Sequence, residues 1–467
     1  MRFIDRDQEL EALRATQRRA ARQSQFTLVL GRRRMGKTTL VREFLRGVPR
    51  TLYFFVTRKR AEDLRAEFAE LLAAVQPAFR GARLTWDGLI RACFDAAQDA
   101  PFTVVFDEFQ NLRFVDPSVF SFLQKHWDLL HQERRVHLIA VGSVISLMER
   151  IFTGAREPLA RRATAQLRVE PFPPDVIEGL LAQHDRRGLR ELVRHWTVFG
   201  GCPKYYSLAS DADLLGQDPL TAIEALILRP DALLRDEGRS LLIEEFAREH
   251  TTAFSILRAI AAGRVQLQEM SDVTGIPATA LPKDLRRLQD EFQLVERELP
   301  LGDAGGRLGR YAVRDPFLTF WFRYVYPHQS QLEAGRHDRA LALVRRDLPA
   351  LEGRTFETLI HRGIREGDAR LRLPFDPEAV GRWWNRQGVE IDVVARSGKG
   401  TEAFFGECRL SAGKVDRALL HGLRQKAAQV PWARAVKKAH DGVFTIGRVS
   451  PTIRAEAKAL DITLWEL

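Results

Sequence analysis

Length, composition and charge exclude several classes of protein. A chain of 467 residues, 45% hydrophobic and 28% charged, is long enough for three or four globular domains and has no low-complexity tract or internal repeat. Its charged N-terminus and short apolar runs lead us to expect a cytoplasmic protein without membrane insertion, and its three isolated cysteines argue against a disulfide framework or a zinc site. The net charge of +11 suits a polyanionic partner, although an Arg-rich solvated surface explains it equally well.

A strand, a glycine-bounded turn and a helix follow one another in residues 25–45, QFTLVLGRRRMGKTTLVREFL. Gly31 and Gly36 let the backbone turn its N–H groups toward phosphate at a helix N-terminus. Lys37 can then reach the β- and γ-phosphates, and Thr38 offers a hydroxyl to Mg²⁺. The sequence therefore predicts a site for ATP and Mg²⁺. The other loop residues expected to surround the nucleotide, with at least one arginine facing solvent, are Arg32, Arg33, Arg34, Met35 and Thr39.

Two later apolar segments supply polar groups for the same site. Residues 101–112, PFTVVFDEFQNL, form a predicted strand that ends in Asp107 and Glu108. In P-loop ATPases an Asp after such a strand helps to hold Mg²⁺, and the following Glu can polarise the attacking water. A third predicted strand, in residues 136–148, ends at Ser143, which is expected to sense the γ-phosphate unless it is only a turn residue.

Motifs along nearly the full length of the chain are similar to those of a known family. They are FIDRDQELEAL, GRRRMGKTT, VVFDEFQNL, PLARRATAQLRVEPF, FGGCPKYY and GRWWNRQGVEIDVVA with GECR. The chain resembles the archaeal-type ATPases of the STAND- and AAA-related P-loop class that carry a C-terminal DUF234 domain. The resemblance implies an arginine-finger role near the nucleotide for Arg162, and a nucleotide-sensing lid motif that contains Gly201 and Pro203. This chain has Ala160 and Arg161 before Arg162, where the family usually has Tyr-Gly-Arg, so the acting arginine stays open and ordinary surface charge is the alternative.

The middle of the chain has the pattern of a winged helix. From Phe254 onward, helices separated by a Gly-Ile-Pro turn precede two β-rich runs, and the insert LGDAGGRLG between those runs fits a wing. Leu281, Leu285 and Leu288 recur at helical spacing. A DNA-reading helix should be basic, whereas the basic residues of this helix are offset by acidic ones. The sequence therefore favours a packing or relay module over a sequence-specific DNA reader.

Three carboxylates share one pattern in the C-terminal region. Glu357 lies on a predicted helix, and Asp392 and Glu407 lie on neighbouring strands of a predicted hairpin. Arg409 follows on the same side of the second strand. Such a set suits a divalent metal that activates water against a phosphodiester. The segment resembles the PD-(D/E)XK nuclease fold, which implies catalytic roles for these four residues and metal binding by Asp392 and Glu407.

Arg409 departs from the lysine of the nuclease pattern. A guanidinium is broad and planar and does not release its proton, so cleavage would be weakened or lost unless Lys414 supplies an ammonium from the following turn. Two interpretations stay open. One is an active Mg²⁺- or Mn²⁺-dependent nuclease, and the other is a DNA-binding or purely structural remnant.

These features predict an α/β protein with a P-loop ATPase core and parallel sheet (residues 1–172), a helical lid (173–248), a winged helix (249–326) and a restriction-endonuclease-like α/β domain (327–467). The expected function is ATP hydrolysis, with ATP and Mg²⁺ as cofactors, that controls access of the C-terminal domain to DNA without sequence specificity. One alternative is a non-cleaving nucleic-acid- or protein-binding platform gated by the same ATPase. Another is a transcriptional regulator, against which the near-neutral helix argues. The sequence also allows a homo-oligomer.

Overall fold

The chain divides into two units: Met1–Phe172 with Cys202–Lys204, which holds one five-stranded sheet, and Pro173–Gly201 with Tyr205–Leu467, which holds a five-stranded and a two-stranded sheet. None of the helices in the described part of the chain combines the length and the apolar character needed to cross a bilayer. The computed structural model describes residues 3–246, 250–303, 305–306 and 308–467.

The first unit is a parallel sheet whose strands alternate with helices, in the order β2-β3-β4-β1-β5. Its strands are β1 Gln25–Leu30, β2 Thr51–Phe55, β3 Phe102–Asp107, β4 Val136–Gly142 and β5 Ala165–Arg168. Its helices are α1 Asp7–Ala20, α2 Lys37–Leu45, α3 Ala61–Val75, α4 Trp86–Asp95, α5 Leu112–Val115, α6 Ser118–Leu130 and α7 Ile145–Thr153, with 3-10 turns at Pro77–Phe79 and Phe109–Asn111.

The central strands of this sheet are buried along almost their whole length. Every residue of β3 and β4 is buried, and in β1 only Gln25 is partly exposed. Such continuous apolar runs are typical of parallel strands that are covered on both faces. Because the strands are parallel, the loop after β1, the carboxylates at the end of β3 and Ser143 after β4 all lie at one edge of the sheet, where ligands bind in α/β folds.

The second unit contains helices, a two-stranded hairpin and a mixed sheet. Its strands are β6 Val295–Glu298, β7 Arg310–Val313, β8 Pro377–Trp384, β9 Glu390–Ser397, β10 Glu402–Arg409, β11 Lys438–Thr445 and β12 Ile462–Glu466. Its helices are α8 Pro174–Ala182, α9 Leu189–Phe199, α10 Pro203–Asp211, which begins in the short segment of the first unit, α11 Pro219–Ile223, α12 Glu237–Phe246, α13 His250–Ala261, α14 Leu267–Thr274, α15 Leu281–Asp290, α16 Pro316–Phe320, α17 Gln329–Glu333, α18 His337–Glu366, α19 Arg417–Ala427 and α20 Pro451–Ala459. Shorter turns are the π-helical segments Glu224–Leu228 and Trp321–Val325 and the 3-10 segments Tyr326–His328, Ala369–Leu371, Ala412–Lys414 and Pro431–Ala435.

Helices α13, α14 and α15 precede the antiparallel hairpin of β6 and β7, which is the element order that the sequence pattern indicates. Leu281, Leu285 and Leu288 form the buried stripe of α15, as their spacing predicts. Leu301, in the loop of this hairpin, packs against the C-terminal part of the unit. The Leu301 N–H donates to the carbonyl of Arg382 on β8 at 2.8 Å, and the Trp432 indole donates to the carbonyl of Leu301 at 2.8 Å.

The mixed sheet has the strand order β12-β11-β10-β9-β8. Strand β9 runs antiparallel to its neighbours β8 and β10, whereas β10, β11 and β12 run parallel. Helix α18 contacts β8, β9 and β10, and α19 contacts β9 and β10. The acidic residues predicted on one helix and two strands can therefore meet at one place.

Candidate nucleotide site and C-terminal carboxylate cluster

The loop after β1 depends on two glycines for different reasons. A Cβ at Gly31 would come within 2.5 Å of the Val169 carbonyl oxygen, so the loop passes β5 too closely for any side chain. Gly36 has a φ of 81° in the left-handed region, which glycine adopts without strain, and it caps α2. Arg34 also lies in the left-handed region, with a φ of 71°. The result is a tight turn that leads into the N-terminus of α2, where backbone N–H groups attract phosphate.

Lys37 is buried at the start of α2, and its ammonium donates to the Arg32 carbonyl at 2.9 Å. The cation therefore lies over the loop, where it can reach a phosphate. Among the other predicted loop residues, Met35 is buried and Thr39 is exposed. Arg32 and Arg33 are half-buried, whereas Arg34 is exposed, in keeping with the expectation that at least one arginine faces solvent.

Asp107, at the end of β3, is buried and accepts three hydrogen bonds. The Thr38 hydroxyl donates to Oδ2 at 2.7 Å, and the Tyr53 hydroxyl donates to the same oxygen at 2.5 Å. The Glu108 N–H donates to Oδ1 at 2.9 Å. Burial, and then the hydrogen bond to Asp107, raise the pKa of Tyr53 above its usual range. The Thr38 hydroxyl and the Asp107 carboxylate are oxygen ligands of the kind that Mg²⁺ prefers, so this pair fits that ion.

Glu108 is held by two side chains as well as by its backbone. Ser143 Oγ donates to Glu108 Oε2 at 2.7 Å, and Gln110 Nε2 donates to the same oxygen at 2.5 Å. Gln110 also donates to Ser143 at 3.2 Å. Glu108 has a φ of 55°, a backbone conformation that costs a non-glycine residue about 1–3 kcal/mol and is common at functional sites. The predicted sensor Ser143 is thus in direct contact with the predicted catalytic carboxylate.

Sequence reasoning missed Tyr53 and Gln110 because it followed strand ends and motifs one at a time. Tyr53 lies inside the segment TLYFF and carries no motif, but β2 pairs with β3 and thereby places its hydroxyl beside Asp107. Gln110 lies two residues after Glu108 in FDEFQN, and this spacing was the available signal.

Arg162 is not near the phosphate loop of its own chain, so this implication of the family resemblance is wrong for the nucleotide in cis. Arg162 precedes β5, which pairs in parallel with β1 and sets Ala165 opposite Thr27 near the start of that strand. The loop follows the other end of β1, whose six residues span about 20 Å. Arg162 instead donates to both carboxylate oxygens of Asp128, at 2.9 and 2.7 Å.

The predicted lid segment touches the phosphate loop. Cys202 to Lys204 belong to the first unit, and the Cys202 thiol donates to the Arg34 carbonyl at 3.7 Å. Pro203 is buried and starts α10. The chain therefore returns to the loop at Cys202, just before α10 begins at Pro203.

The C-terminal acids converge, as predicted, from α18, β9 and β10. Arg409 bridges two of them: Nη1 donates to Asp392 Oδ2 at 3.0 Å, and Nη2 donates to Glu407 Oε2 at 2.9 Å. The Cys408 N–H also donates to Asp392 Oδ2, at 3.0 Å. The third acid, Glu357, lies 3.1 Å from a guanidinium nitrogen of Arg382. One arginine therefore bridges two carboxylates, at the position where a metal would be expected to bind.

An ammonium reaches this cluster from α19. Lys426 Nζ donates to Glu407 Oε1 at 2.7 Å, whereas Lys414, the predicted source, is exposed in a 3-10 turn. The prediction of Lys414 as the replacement ammonium is therefore wrong, because Lys426 on α19, twelve residues further along the chain, supplies the ammonium that contacts Glu407. Lys426 was missed because only the tertiary packing of α19 brings it to the strand.

Burial and a neighbouring charge raise the pKa values of two acids in the cluster. Burial, together with the charge of Asp392, raises the pKa of Glu357 to about 7, and the same two causes raise the pKa of Glu407. His361 Nε2 donates to the backbone carbonyl of Asp392 at 2.7 Å. Burial lowers the pKa of His361 to about 4, so this histidine is a neutral donor near pH 7.

The carboxylate oxygens of Glu357, Asp392 and Glu407 do not all lie within 4.8 Å of one another, as a shared metal would require. Within the described ranges of the chain, the group of at least three His, Cys, Asp or Glu ligand atoms that lie within 4.8 Å of one another is Glu224, His337 and Asp338. That group is in a different part of the second unit, and Asp338 is exposed. Metal binding by Asp392 and Glu407 would require Arg409 to move.

The parallel sheet, the glycine-bounded loop before α2 and the acids after β3 define the P-loop NTPase class. Residues 3–208 match a family model described as an ATPase domain found predominantly in Archaea, and residues 321–420 match DUF234, described as archaeal and bacterial proteins of unknown function. The chain is 30% identical over 410 residues to the uncharacterized protein MJECL04 of Methanocaldococcus jannaschii, and the alignment covers 87% of each chain. The protein therefore belongs to the archaeal ATPases with a C-terminal DUF234 domain, as the sequence motifs predicted.

Solved structures agree with this fold. The structure is similar to the Walker-type ATPase PABY2304 of Pyrococcus abyssi, with 21% identity, a TM-score of 0.51 and coverage of 69% of this chain and 96% of that one. At this identity the likeness supports the fold alone, and it confirms the predicted α/β architecture. The Aeropyrum pernix ORC2 protein in its ADPNP-ADP complexes gives a TM-score of 0.45 at 16% identity, over 73% of this chain and 95% of that one, which is too low to carry an argument.

Proposed function

We propose that this ATPase is an Mg²⁺-dependent switch whose nucleotide state controls a C-terminal DNA-binding domain. The proposed Mg²⁺-dependent ATPase activity is supported by the position of Thr38, Asp107 and Glu108 beside the phosphate loop. There the Thr38 hydroxyl donates to the Asp107 carboxylate at 2.7 Å. When bound, Mg²⁺ would neutralise the β- and γ-phosphate oxygens. Thr38 and Asp107 are the residues that would hold it.

The chain's own residues would carry the rest of the hydrolysis. Lys37 and the N–H groups of the loop bind the phosphates, and Glu108 accepts a hydrogen bond from the attacking water. Ser143 and Gln110 hold Glu108 Oε2 and so orient its carboxylate toward that water. This arrangement gives Ser143 an orienting role, in addition to the γ-phosphate sensing expected from the sequence.

Substitutions in the phosphate loop and at Glu108 test the proposed ATPase activity. Loss of the Lys37 ammonium in Lys37→Ala removes a direct phosphate contact, and Glu108→Gln keeps the shape but removes the base. Both are expected to lower the ATP turnover rate about 100-fold or more. Lys125→Ala is the matched control, because Lys125 is an exposed lysine paired with Asp87 at 3.0 Å. Turnover by Lys37→Ala at the wild-type rate would overturn the proposal.

Coupling between the nucleotide and the rest of the chain would run through Cys202 to Lys204. Cys202 contacts the phosphate loop at Arg34, α9 ends at Phe199 shortly before it, and α10 begins at Pro203 directly after it. A loop that tightens on nucleotide would therefore pull or release this segment, because only contacts that differ between nucleotide states can shift a conformational equilibrium.

DNA binding is proposed from the net positive charge of the C-terminal domain and from the nuclease-like pattern of its sequence. Residues 331–467 carry 24 Lys and Arg against 18 Asp and Glu, so the region adds six positive charges. We expect sequence-independent binding of duplex DNA that weakens steeply with salt. Fluorescence anisotropy with labelled duplexes of different sequence, at several salt concentrations and with ADP or a non-hydrolysable ATP analogue, tests this. A DNA affinity that is the same with and without nucleotide, and the same in Lys37→Ala as in the wild type, would rule out the switch.

Whether this domain also cleaves DNA depends on the carboxylate cluster. The bridge from Arg409 to Asp392 and Glu407 favours a non-cleaving domain, since the guanidinium occupies an oxygen of each acid that a metal would need. A metal-dependent nuclease is the second candidate, and the convergence of Glu357 with Asp392 and Glu407 beside the Lys426 ammonium favours it.

Nicking of supercoiled plasmid by the full chain separates the two candidates. The assay uses Mg²⁺ or Mn²⁺, with and without ATP, and compares Asp392→Ala with the exposed control Asp376→Ala. Cleavage that Asp392→Ala abolishes and Asp376→Ala keeps would establish the nuclease. Absence of cleavage together with intact ATP hydrolysis would support the non-cleaving domain.

An arginine finger, if this chain uses one, would act between copies. Arg162 lies at the edge of the sheet opposite the phosphate loop, so a homo-oligomer would be needed to bring it to a nucleotide. Light scattering with and without nucleotide tests self-association. Arg162→Ala would lower ATP turnover in an oligomer and leave a monomer unchanged.

A further inference from the structure

Tyr53 contributes the shortest hydrogen bond that Asp107 accepts from a side chain. Tyr53 lies on β2, an edge strand of the parallel sheet, and β2 pairs with β3 so that Tyr53 is opposite Val105 and Phe55 is opposite Asp107. From this position the phenol extends past the strand end, and its hydroxyl donates to Asp107 Oδ2 at 2.5 Å. No sequence motif includes this residue.

The two oxygens of Asp107 have different partners. Oδ2 accepts from both Tyr53 and Thr38, whereas Oδ1 accepts from the Glu108 N–H at 2.9 Å. Thr38 is the residue whose hydroxyl would turn to Mg²⁺ in the nucleotide complex. Once it does so, Tyr53 and the Glu108 N–H are the donors that remain, one for each carboxylate oxygen. Two donors on opposite oxygens fix the plane of a carboxylate.

We propose that Tyr53 is a positioning residue, which holds the Asp107 carboxylate in the orientation that binds the Mg²⁺ of the nucleotide complex. The inference rests on the Mg²⁺-dependent ATPase function proposed above. Partners of this kind orient metal ligands, and their loss commonly costs 10- to 100-fold in metal affinity. Tyr53 therefore acts through Asp107 and does not itself contact the nucleotide.

Replacement by phenylalanine removes the hydroxyl and keeps the ring. The neighbours of Tyr53 along β2 are Phe54 and Phe55, so the strand already accommodates phenylalanine. Tyr53→Phe is therefore a test of the hydrogen bond with little effect on packing. Tyr311→Phe on β7 is the matched control, because it makes the same change in the second unit.

The first measurement is metal binding, independent of turnover. Electron paramagnetic resonance of Mn²⁺ titrated into the full chain with a non-hydrolysable ATP analogue gives the metal dissociation constant. We expect it to be about tenfold higher for Tyr53→Phe than for the wild type, and unchanged for Tyr311→Phe. A fluorescent ATP analogue without metal should bind all three proteins within about twofold, since Tyr53 acts on the metal ligand alone.

The second measurement is ATP turnover as a function of Mg²⁺. Tyr53→Phe is expected to need about tenfold more Mg²⁺ for half-maximal turnover and to recover most of the wild-type rate at saturating Mg²⁺. A purely structural role would lower turnover at every Mg²⁺ concentration.

The outcomes separate the two levels of the proposal. If the wild type with nucleotide fails to bind Mn²⁺, the Mg²⁺-dependent function fails and this inference fails with it. If the wild type binds Mn²⁺ and Tyr53→Phe binds it equally well, the positioning role is wrong and the ATPase function stands. Equal losses of metal binding and of metal-free nucleotide binding would show a general structural role and also overturn the inference.

Discussion

Arg409 holds two carboxylates that would otherwise repel each other. Asp392 and Glu407 are mostly buried, with 13% and 2% of their side chains exposed, and each accepts a hydrogen bond from the guanidinium. The rigid fork of arginine suits this bridge better than the single ammonium of lysine, because its two terminal nitrogens can point at different acids. At this position arginine therefore stabilises the cluster without any metal.

Removal of that guanidinium should destabilise the fold and expose the acids to metal. Arg409→Ala is expected to lower the free energy of unfolding by about 1–3 kcal/mol, because it removes one hydrogen-bond donor from each of two buried carboxylates. Mn²⁺ should then raise the melting temperature of Arg409→Ala more than that of the wild type, since a ligand stabilises the state that binds it. Thermal unfolding with and without Mn²⁺ measures both effects. Arg417→Ala, which breaks an exposed pair with Glu456, is the control, and an equal Mn²⁺ shift in all three proteins would contradict the prediction.

The raised pKa of Glu357 predicts a pH dependence of stability. Burial and the charge of Asp392 raise the pKa from 4.5 to about 7, so the folded chain keeps a proton that the unfolded chain loses above pH 4.5. The contribution of Glu357 is therefore fully present below pH 4.5 and is lost as the pH rises toward 7. The wild type should lose stability relative to Glu357→Gln over this window.

Urea unfolding of both proteins between pH 4.5 and 8 measures this difference. The titration of His361 occurs in both proteins and cancels when the two curves are subtracted. A difference of about 1–3 kcal/mol should develop between pH 4.5 and 7 and then level off. A difference that does not change with pH would show that Glu357 is ionised throughout.

At the scale of elements, the hairpin of β6 and β7 packs against the mixed sheet of the second unit. Its loop bonds to β8 through Leu301, and the Trp384 indole donates to the carbonyl of Leu308 at 2.9 Å. Arg310 on β7 lies 2.6 Å from Glu390 on β9. The hairpin loop therefore packs against protein, as a packing or relay module would require. That is the role that the near-neutral charge of α15 predicts.

Gly302 allows a direct test of the packing of the hairpin loop against Trp432. Its φ is 86°, and a Cβ there would overlap the ring of Trp432. Gly306, in the same loop with a φ of 63°, is the matched control, because its nearest atom would be the flexible end of Arg297 at 3.5 Å. Both changes to alanine cost about 1 kcal/mol of backbone strain, whereas Gly302→Ala should cost about 1–3 kcal/mol more by displacing the loop. Chemical denaturation measures the two, and equal losses would show that the loop is not docked.

At the scale of the whole molecule, the segment from Cys202 to Lys204 follows α9 in the chain and enters α10, and its Cys202 thiol donates to the phosphate loop at Arg34. Nucleotide that tightens the loop should slow hydrogen exchange in residues 202–211, because the backbone of this segment and the start of α10 would open less often. The expected slowing is about tenfold with Mg²⁺ and a non-hydrolysable ATP analogue. Hydrogen exchange with mass spectrometry measures it, with Lys37→Ala as the control. Equal slowing in Lys37→Ala, or none in the wild type, would contradict this route.

The sequence by itself determined the α/β class, the nucleotide loop and the acidic residues after the strands. Local patterns were sufficient there, because Gly31 to Thr38, and Asp107 with Glu108, are each contiguous and their strands end at one edge of a parallel sheet. The convergence of Glu357, Asp392 and Glu407 could also be predicted, since the alternation of strand side chains assigns faces before the fold is known.

Only the tertiary structure decided which distant residues complete each site. Strand pairing brings the Tyr53 hydroxyl to Asp107, and the packing of α19 brings Lys426 to Glu407. Arg162 was placed wrongly for the same reason, since its position depends on the end of β1 at which β5 begins its pairing. A motif fixes the chemistry of neighbouring residues, whereas strand order and helix docking fix which other side chains come within hydrogen-bond distance.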